Sequence, residues 1–167
     1  RIAGVYKPRA PEITFSRDMT LYVGESEIQL LHTPGHTEGQ TAVYIPDRGV
    51  LFATDNLFVD FLIWFHDSDP FEWLQSLERL KALDVDRIVP GHGPVCGKES
   101  IGLMEEKIQG VLSRVRDAMD RGLSEEEAAA TVKFQDLCVQ DENYEEIRDD
   151  VESASVQRIY RILKERG

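Results

Sequence analysis

Three side chains able to hold a metal stand at the ends of three apolar runs. Leu30-Leu31 leads into His32-Thr33-Pro34-Gly35-His36-Thr37-Glu38-Gly39. Leu51-Phe52-Ala53-Thr54 ends in Asp55, and Ile88-Val89-Pro90-Gly91 ends in His92, with Gly93-Pro94 behind it. Pro34 and Pro90 each remove a backbone donor, and the glycine after each allows a turn that a bulkier residue resists. Each run reads as a strand that stops and presents one donor. Imidazole nitrogen and carboxylate oxygen are what zinc takes in hydrolytic sites, where three protein ligands leave a position for water. Water bound there is acidified to a pKa of about 7. His36, Asp55 and His92 are therefore the candidate metal ligands.

The elements that position them follow from local pattern. Ile13-Thr14-Phe15 and Met19 to Val23 carry the β-branched and aromatic content of short strands. Gly24-Glu25-Ser26 turns the chain into Glu27 to Leu31, a hairpin that delivers the first histidine motif. Thr41 to Ile45 and Val50 to Ala53 are strands around the turn Pro46-Asp47-Arg48-Gly49. Asn56 to Phe65 is nearly continuously apolar and fits a strand, a pocket wall or an interface. Asp69-Pro70 starts a helix, with Phe71, Trp73, Leu74, Leu77 and Leu80 as its stripe and an end near Asp84. Val85 to Pro90 returns as a strand, so strand, helix and strand make an α/β arrangement. From Lys98 the chain becomes helical. A long amphipathic helix stops at Gly122, Ser124 to Glu127 is a capping box, and a last helix opens near Asn143 to Glu146.

The 167 residues are 41% hydrophobic and 30% charged, as in a globular protein with a packed core. A net charge of −12 repels nucleic-acid phosphates and anionic membranes, so neither is expected as a partner. Bound divalent metal would reverse that field locally, so an anionic substrate stays open. There is no run of 18 apolar residues, hence no transmembrane helix is expected, and the localisation expected is cytoplasmic. Cys96 and Cys138 form neither a disulfide framework nor a zinc knuckle. They read as isolated thiols, Cys96 close enough to the second Pro-Gly-His turn for a redox or second-layer role to be weighed.

The three motifs, in this order and spacing, resemble the later motifs of the metallo-β-lactamase superfamily of metal-dependent hydrolases. Thr33-Pro34-Gly35-His36-Thr37-Glu38-Gly39 is similar to its T-P-G-H-T-x-G, Asp55 to the aspartate that bridges two metals, and Pro90-Gly91-His92-Gly93-Pro94 to its P-G-H-G-P. The resemblance runs from about Ile13 to about Gly97. It implies an αββα sandwich, a mixed β-sheet with covering helices, around a dinuclear zinc site where Asp55 is both bridge and catalytic residue. Thr54 stands where many relatives have glycine. The family's H-x-H-x-D-H motif, which precedes these three, is absent from this sequence. The expectation is that residues 1–97 form the C-terminal half of the domain and 98–167 a helical tail packed on it or on a partner.

That departure limits the ligand count. With Asp55 shared, each metal keeps two protein ligands, so this chain alone is expected to hold zinc weakly. His66, Asp67 and Asp69 are candidate substitutes, while His32, Thr37 and Glu38 read as turn or surface residues. Two functions remain open. One is a zinc hydrolase of a small-molecule substrate, completed by a missing N-terminal half or a second chain. The other is a non-catalytic half-domain that dimerises through Phe58 to Phe65 and the tail helices, with relic ligands.

Overall fold

The computed structural model describes residues 9–138 and 147–167. Five strands lie side by side in chain order: β1 (Met19–Val23), β2 (Ser26–His32), β3 (Thr41–Ile45), β4 (Val50–Phe58) and β5 (Arg87–His92). From β1 to β4 each strand is antiparallel to the one before it, and β5 runs parallel to β4. An antiparallel step needs only a tight turn, which Gly24-Glu25 supplies with Gly24 at φ 62°. The parallel step needs a crossover, supplied by helix α1 (Pro70–Lys81). Ile13-Thr14-Phe15 is not a strand: Ile13 is 70% exposed, and β-branched content forms no strand without a neighbour to pair with.

Helix ends follow their chemistry. Asp69 Oδ1 accepts from the main-chain N–H groups of Phe71 (2.9 Å) and Glu72 (3.2 Å), and Pro70 opens α1. Helix α2 (Glu99–Asp120) closes with Gly122 N–H donating to Met119 O and Leu123 N–H to Ala118 O, Gly122 taking φ 79°. Ser124 and Glu127 form the expected capping box of α3 (Glu125–Thr131). Helix α4 spans Arg148–Arg166; the expected start at Asn143 to Glu146 lies outside the described residues. No helix among the described residues is long and apolar enough to cross a membrane.

The two faces of the sheet differ. Tyr44, Leu51 and Ile88, opposite one another on β3, β4 and β5, are all buried, as are Leu31 and Ala42. This face meets α1 and α2, and its core continues through Trp73, Leu77, Ile101 and Ile108 into Val156 and Ile159 of α4. The other face presents the row Met19, Leu30, Val43, Phe52 and Val89, each opposite the next. None of the five is buried, and Phe52 is 39% exposed. An antiparallel sheet with one solvated face normally alternates apolar with polar residues. Here both faces are apolar and only one is covered.

Helix α4 also fixes the loop after β4. Ser155 Oγ accepts from Phe65 N–H at 3.2 Å, and Arg158 Nε donates to Ser68 O at 3.0 Å. On the far side of the core, Arg114 grips Asp136 with two parallel bonds of 2.6 Å. That guanidinium holds the Asp136 carboxyl below the usual carboxylate range, and Arg79 does the same to Asp18. A depressed folded pKa stabilises above the unfolded value and loses that contribution as pH falls through the folded one. Thermal melts are expected to weaken below about pH 4. Asp136→Asn should flatten that fall; an unchanged pH profile would mean the fork contributes nothing.

A candidate metal centre at the strand ends

The Pro34-Gly35 turn is seated on the start of α1. Ser76 Oγ donates to Pro34 O at 2.6 Å, and Asp69 N–H donates to Gly35 O at 2.8 Å. His36 is thereby turned inward. Its ring meets Trp73 edge-on at 5.1 Å and Phe58 at 5.4 Å. Burial pushes the His36 imidazole below the usual histidine range, and the Asp55 charge pulls it partly back. Its Nδ1 is buried without a hydrogen-bond partner. A neutral imidazole with an unsatisfied nitrogen is in the form that coordinates a metal.

Asp55 sits on a kink in β4. The register with β5 shifts on either side of Thr54, which takes φ 52°, a left-handed conformation rare for a β-branched residue. Thr54 Oγ1 accepts from Gln40 Nε2 at 2.6 Å and lies 2.9 Å from Thr41 O, bonds that hold the strained turn. Positive φ at this position is the physical reason a glycine serves there equally well. Behind the kink, buried Asn56 donates to Thr33 Oγ1 and Ala53 O, each at 2.8 Å, and Trp73 Nε1 donates to Asn56 O. One side chain thus ties the first motif to the second. Its only sequence signal is an amide inside an apolar run.

His92 closes the arrangement. A Cβ on Gly91 would strike the Asp55 carboxylate and the main chain of Thr54 and Asp55, so β5 passes against the kink only because that residue is glycine. His92 Nε2 lies 3.5 Å from Asp55 Oδ1. Its ring stacks on Phe61 at 4.4 Å and on Phe58 at 4.9 Å. His36 and His92 both line one cavity of about 210 Å³, walled by Phe58, Phe61, Leu62 and Trp64. Asn56 to Phe65 therefore resolves into the end of β4, with Leu57 and Phe58 buried, followed by a pocket wall.

Among the described residues, no three of His, Cys, Asp and Glu gather closely enough to hold a metal ion. The donors present fit part of a zinc site: a carboxylate beside one imidazole, and a second, unsatisfied imidazole on the same cavity. The suggested substitutes do not fill the gap. His66 pairs with exposed Asp67 at 3.2 Å, and Asp69 caps α1 and meets Arg166 at 2.7 Å. His32 stays outside, its Nε2 2.9 Å from Glu38 O. Thr37 Oγ1 donates to Gln40 Oε1 at 3.3 Å, a turn bond. Burial pushes the Cys96 thiol up, which disfavours a reactive thiolate.

A family model for the metallo-beta-lactamase superfamily matches residues 3–92. A linear primary-alkylsulfatase of Pseudomonas sp. is 30% identical over 143 residues, covering 75% of this chain and 26% of that protein. A hydroxyacylglutathione hydrolase of Brucella anthropi is 34% identical over 76 residues, 46% of this chain and 27% of that protein. The chain thus spans about a quarter of the length of these curated relatives. A metallo-beta-lactamase family protein from Thermus thermophilus has a solved structure that superposes with a TM-score of 0.69 at 19% identity, over 95% of this chain and 51% of that one. That likeness is one of fold. The matched segment carries all three strand-end donors, and the chain belongs to the metallo-beta-lactamase superfamily.

Proposed function

We propose that this chain supplies the later ligands of a zinc-dependent hydrolase, His36, Asp55 and His92, and that a preceding half-domain or a second chain supplies the rest. The observation that carries the reading is the site's incompleteness in a built setting. His36, whose Nδ1 is buried without a hydrogen-bond partner, lines one cavity with His92, and His92 lies 3.5 Å from Asp55, with no closely gathered group of three donors among the described residues. The uncovered apolar face of the sheet supports it, because a second sheet laid there would complete the sandwich and bring further donors to the same strand ends. Bound zinc would acidify a water for attack on an ester, thioester or sulfate ester. This chain's own residues would hold the metal, fix Asp55 through the Thr54 kink, and keep bulk water from the cavity with Phe58, Phe61 and Trp64. The relatives named above, a sulfatase and an acylglutathione hydrolase, favour esters over β-lactams.

Zinc uptake by the purified chain, read by competition with a chromophoric chelator, tests the ligands. Weak binding is expected, lowered about tenfold to a hundredfold by His92→Ala or Asp55→Asn. Uptake unchanged in both variants would remove these residues from the site. A second reading is favoured by the same open face: two copies of the chain pair through it without catalysis. A chain that sediments as a dimer and takes up no zinc would decide for that reading.

A further inference from the structure

We propose that the outer edge of β1 pairs with β1 of a second copy of this chain, antiparallel about a two-fold axis at Leu21, so that the two five-stranded sheets become one. The two edges of the sheet are treated differently. On the outer edge of β5, Ile88 and Cys96 exchange both main-chain bonds at 2.9 Å, so a returning segment covers part of that edge. β1 stands at the other end of the strand order, and no described residue pairs with its far side. Natural sheets blunt an exposed edge with a charge, a proline or a bulge. Met19-Thr20-Leu21-Tyr22-Val23 carries neither charge nor proline, and its register with β2 is unbroken. Leu21 is 39%, Tyr22 76% and Val23 62% exposed. A bare strand of β-branched and aromatic residues is a template for pairing.

Local geometry selects the partner and the register. Val23 faces Ser26 across the two-residue turn Gly24-Glu25. The closing pair of such a hairpin exchanges both its bonds, and bonded pairs then alternate along the ladder. Met19, Leu21 and Val23 therefore spend their main-chain groups on β2, while Thr20 and Tyr22 point theirs outward. A two-fold axis at Leu21 sets Thr20 of each copy opposite Tyr22 of the other, so outward groups meet outward groups. It also pairs all five strand residues, which an axis at Thr20 or Tyr22 does not. The same register sets exposed Arg17 of each copy opposite exposed Glu25 of the other. Asp18, held by Arg79, falls opposite Gly24, so no like charges face each other. A net charge of −12 opposes self-association in general, and an uncharged edge is where that repulsion acts least. An unrelated extended peptide could use the same main-chain groups but would lack the Arg17–Glu25 match. Edge pairing leaves the open apolar face free, so it holds whether or not a half-domain covers that face.

Sedimentation equilibrium of the whole chain tests this. The parent should associate to a dimer as its concentration rises toward about 1 mM. Arg17→Glu or Glu25→Arg sets like charges opposite each other at both ends of the pairing, and each should weaken the dimer about tenfold. The two reversals combined restore opposite charges and should restore the parent's affinity. Tyr22→Pro removes an outward N–H at an edge position where proline spares the ladder with β2, and should abolish the dimer. Phe52→Lys, on the open face, should leave it unchanged. A parent that stays monomeric throughout would overturn the proposal. So would a dimer lost in Phe52→Lys and indifferent to the charge reversals, which would assign association to the sheet face instead.

Discussion

Gly35→Ala is expected to destabilise the chain by about 3–5 kcal/mol, combining a forbidden backbone angle with a collision in a packed core. Gly35 has φ 151°, and a Cβ built there lands on the main chain and Cβ of Trp73. Trp73 is fully buried, held by its indole bond to Asn56 O and packed on Phe58 and Phe65. It has nowhere to move without pushing α1 away from the turn. That would break the bonds from Ser76 to Pro34 and from Asp69 to Gly35, and His36 would lose its inward pose. Against a usual total of about 5–15 kcal/mol, the loss is large. Melting should fall by roughly 6–20 °C, at about 2–4 °C per kcal/mol for a chain this size. A variant melting within about 3 °C of the parent would show that the turn is not seated on α1 as described.

Position 35 also shows why the turn before His36 was readable in advance. Pro-Gly followed by histidine announces a turn with a donor, and turn chemistry is local. The same holds for Asp69-Pro70, Gly122 and the Ser124 capping box, all of which the structure places as their residues dictate. What the sequence left open depends on partners far along the chain. Asn56 to Phe65 is apolar throughout, so periodicity could not choose between strand and wall. Its division after Phe58 is set by the kink at Thr54 and by Val59 N–H donating to His92 O. On α4, Ala154 is exposed, whereas Val156 and the polar Glu152 and Ser155 are buried. Buried polar residues break an amphipathic pattern, and their reason lies in bonds to residues far away along the chain.

Glu152 is the strongest case of such a reason, and Glu152→Ala is expected to cost about 1–3 kcal/mol, the range for a buried donor left unsatisfied. The residue is fully buried. Its Oε1 accepts from Phe134 N–H at 2.7 Å, and its Oε2 accepts from Gln135 Nε2 at 3.0 Å and lies 3.2 Å from Lys133 Nζ. Residues 132–134 follow α3 without regular structure, so the Phe134 N–H has no ladder to join. The carboxylate replaces it. Truncation to alanine leaves that N–H buried and unsatisfied beside a fully buried Phe134 ring, itself edge-on to Phe65 at 6.0 Å. Through Phe65 the damage reaches the wall of the candidate site. Glu152→Gln keeps an acceptor for Phe134 but gives up the charge facing Lys133, so it should recover about half the loss. Urea unfolding of the two variants reads this ordering directly. Equal losses would assign the effect to charge alone, and no loss in either would mean α4 is held to α3 by apolar contact without the carboxylate.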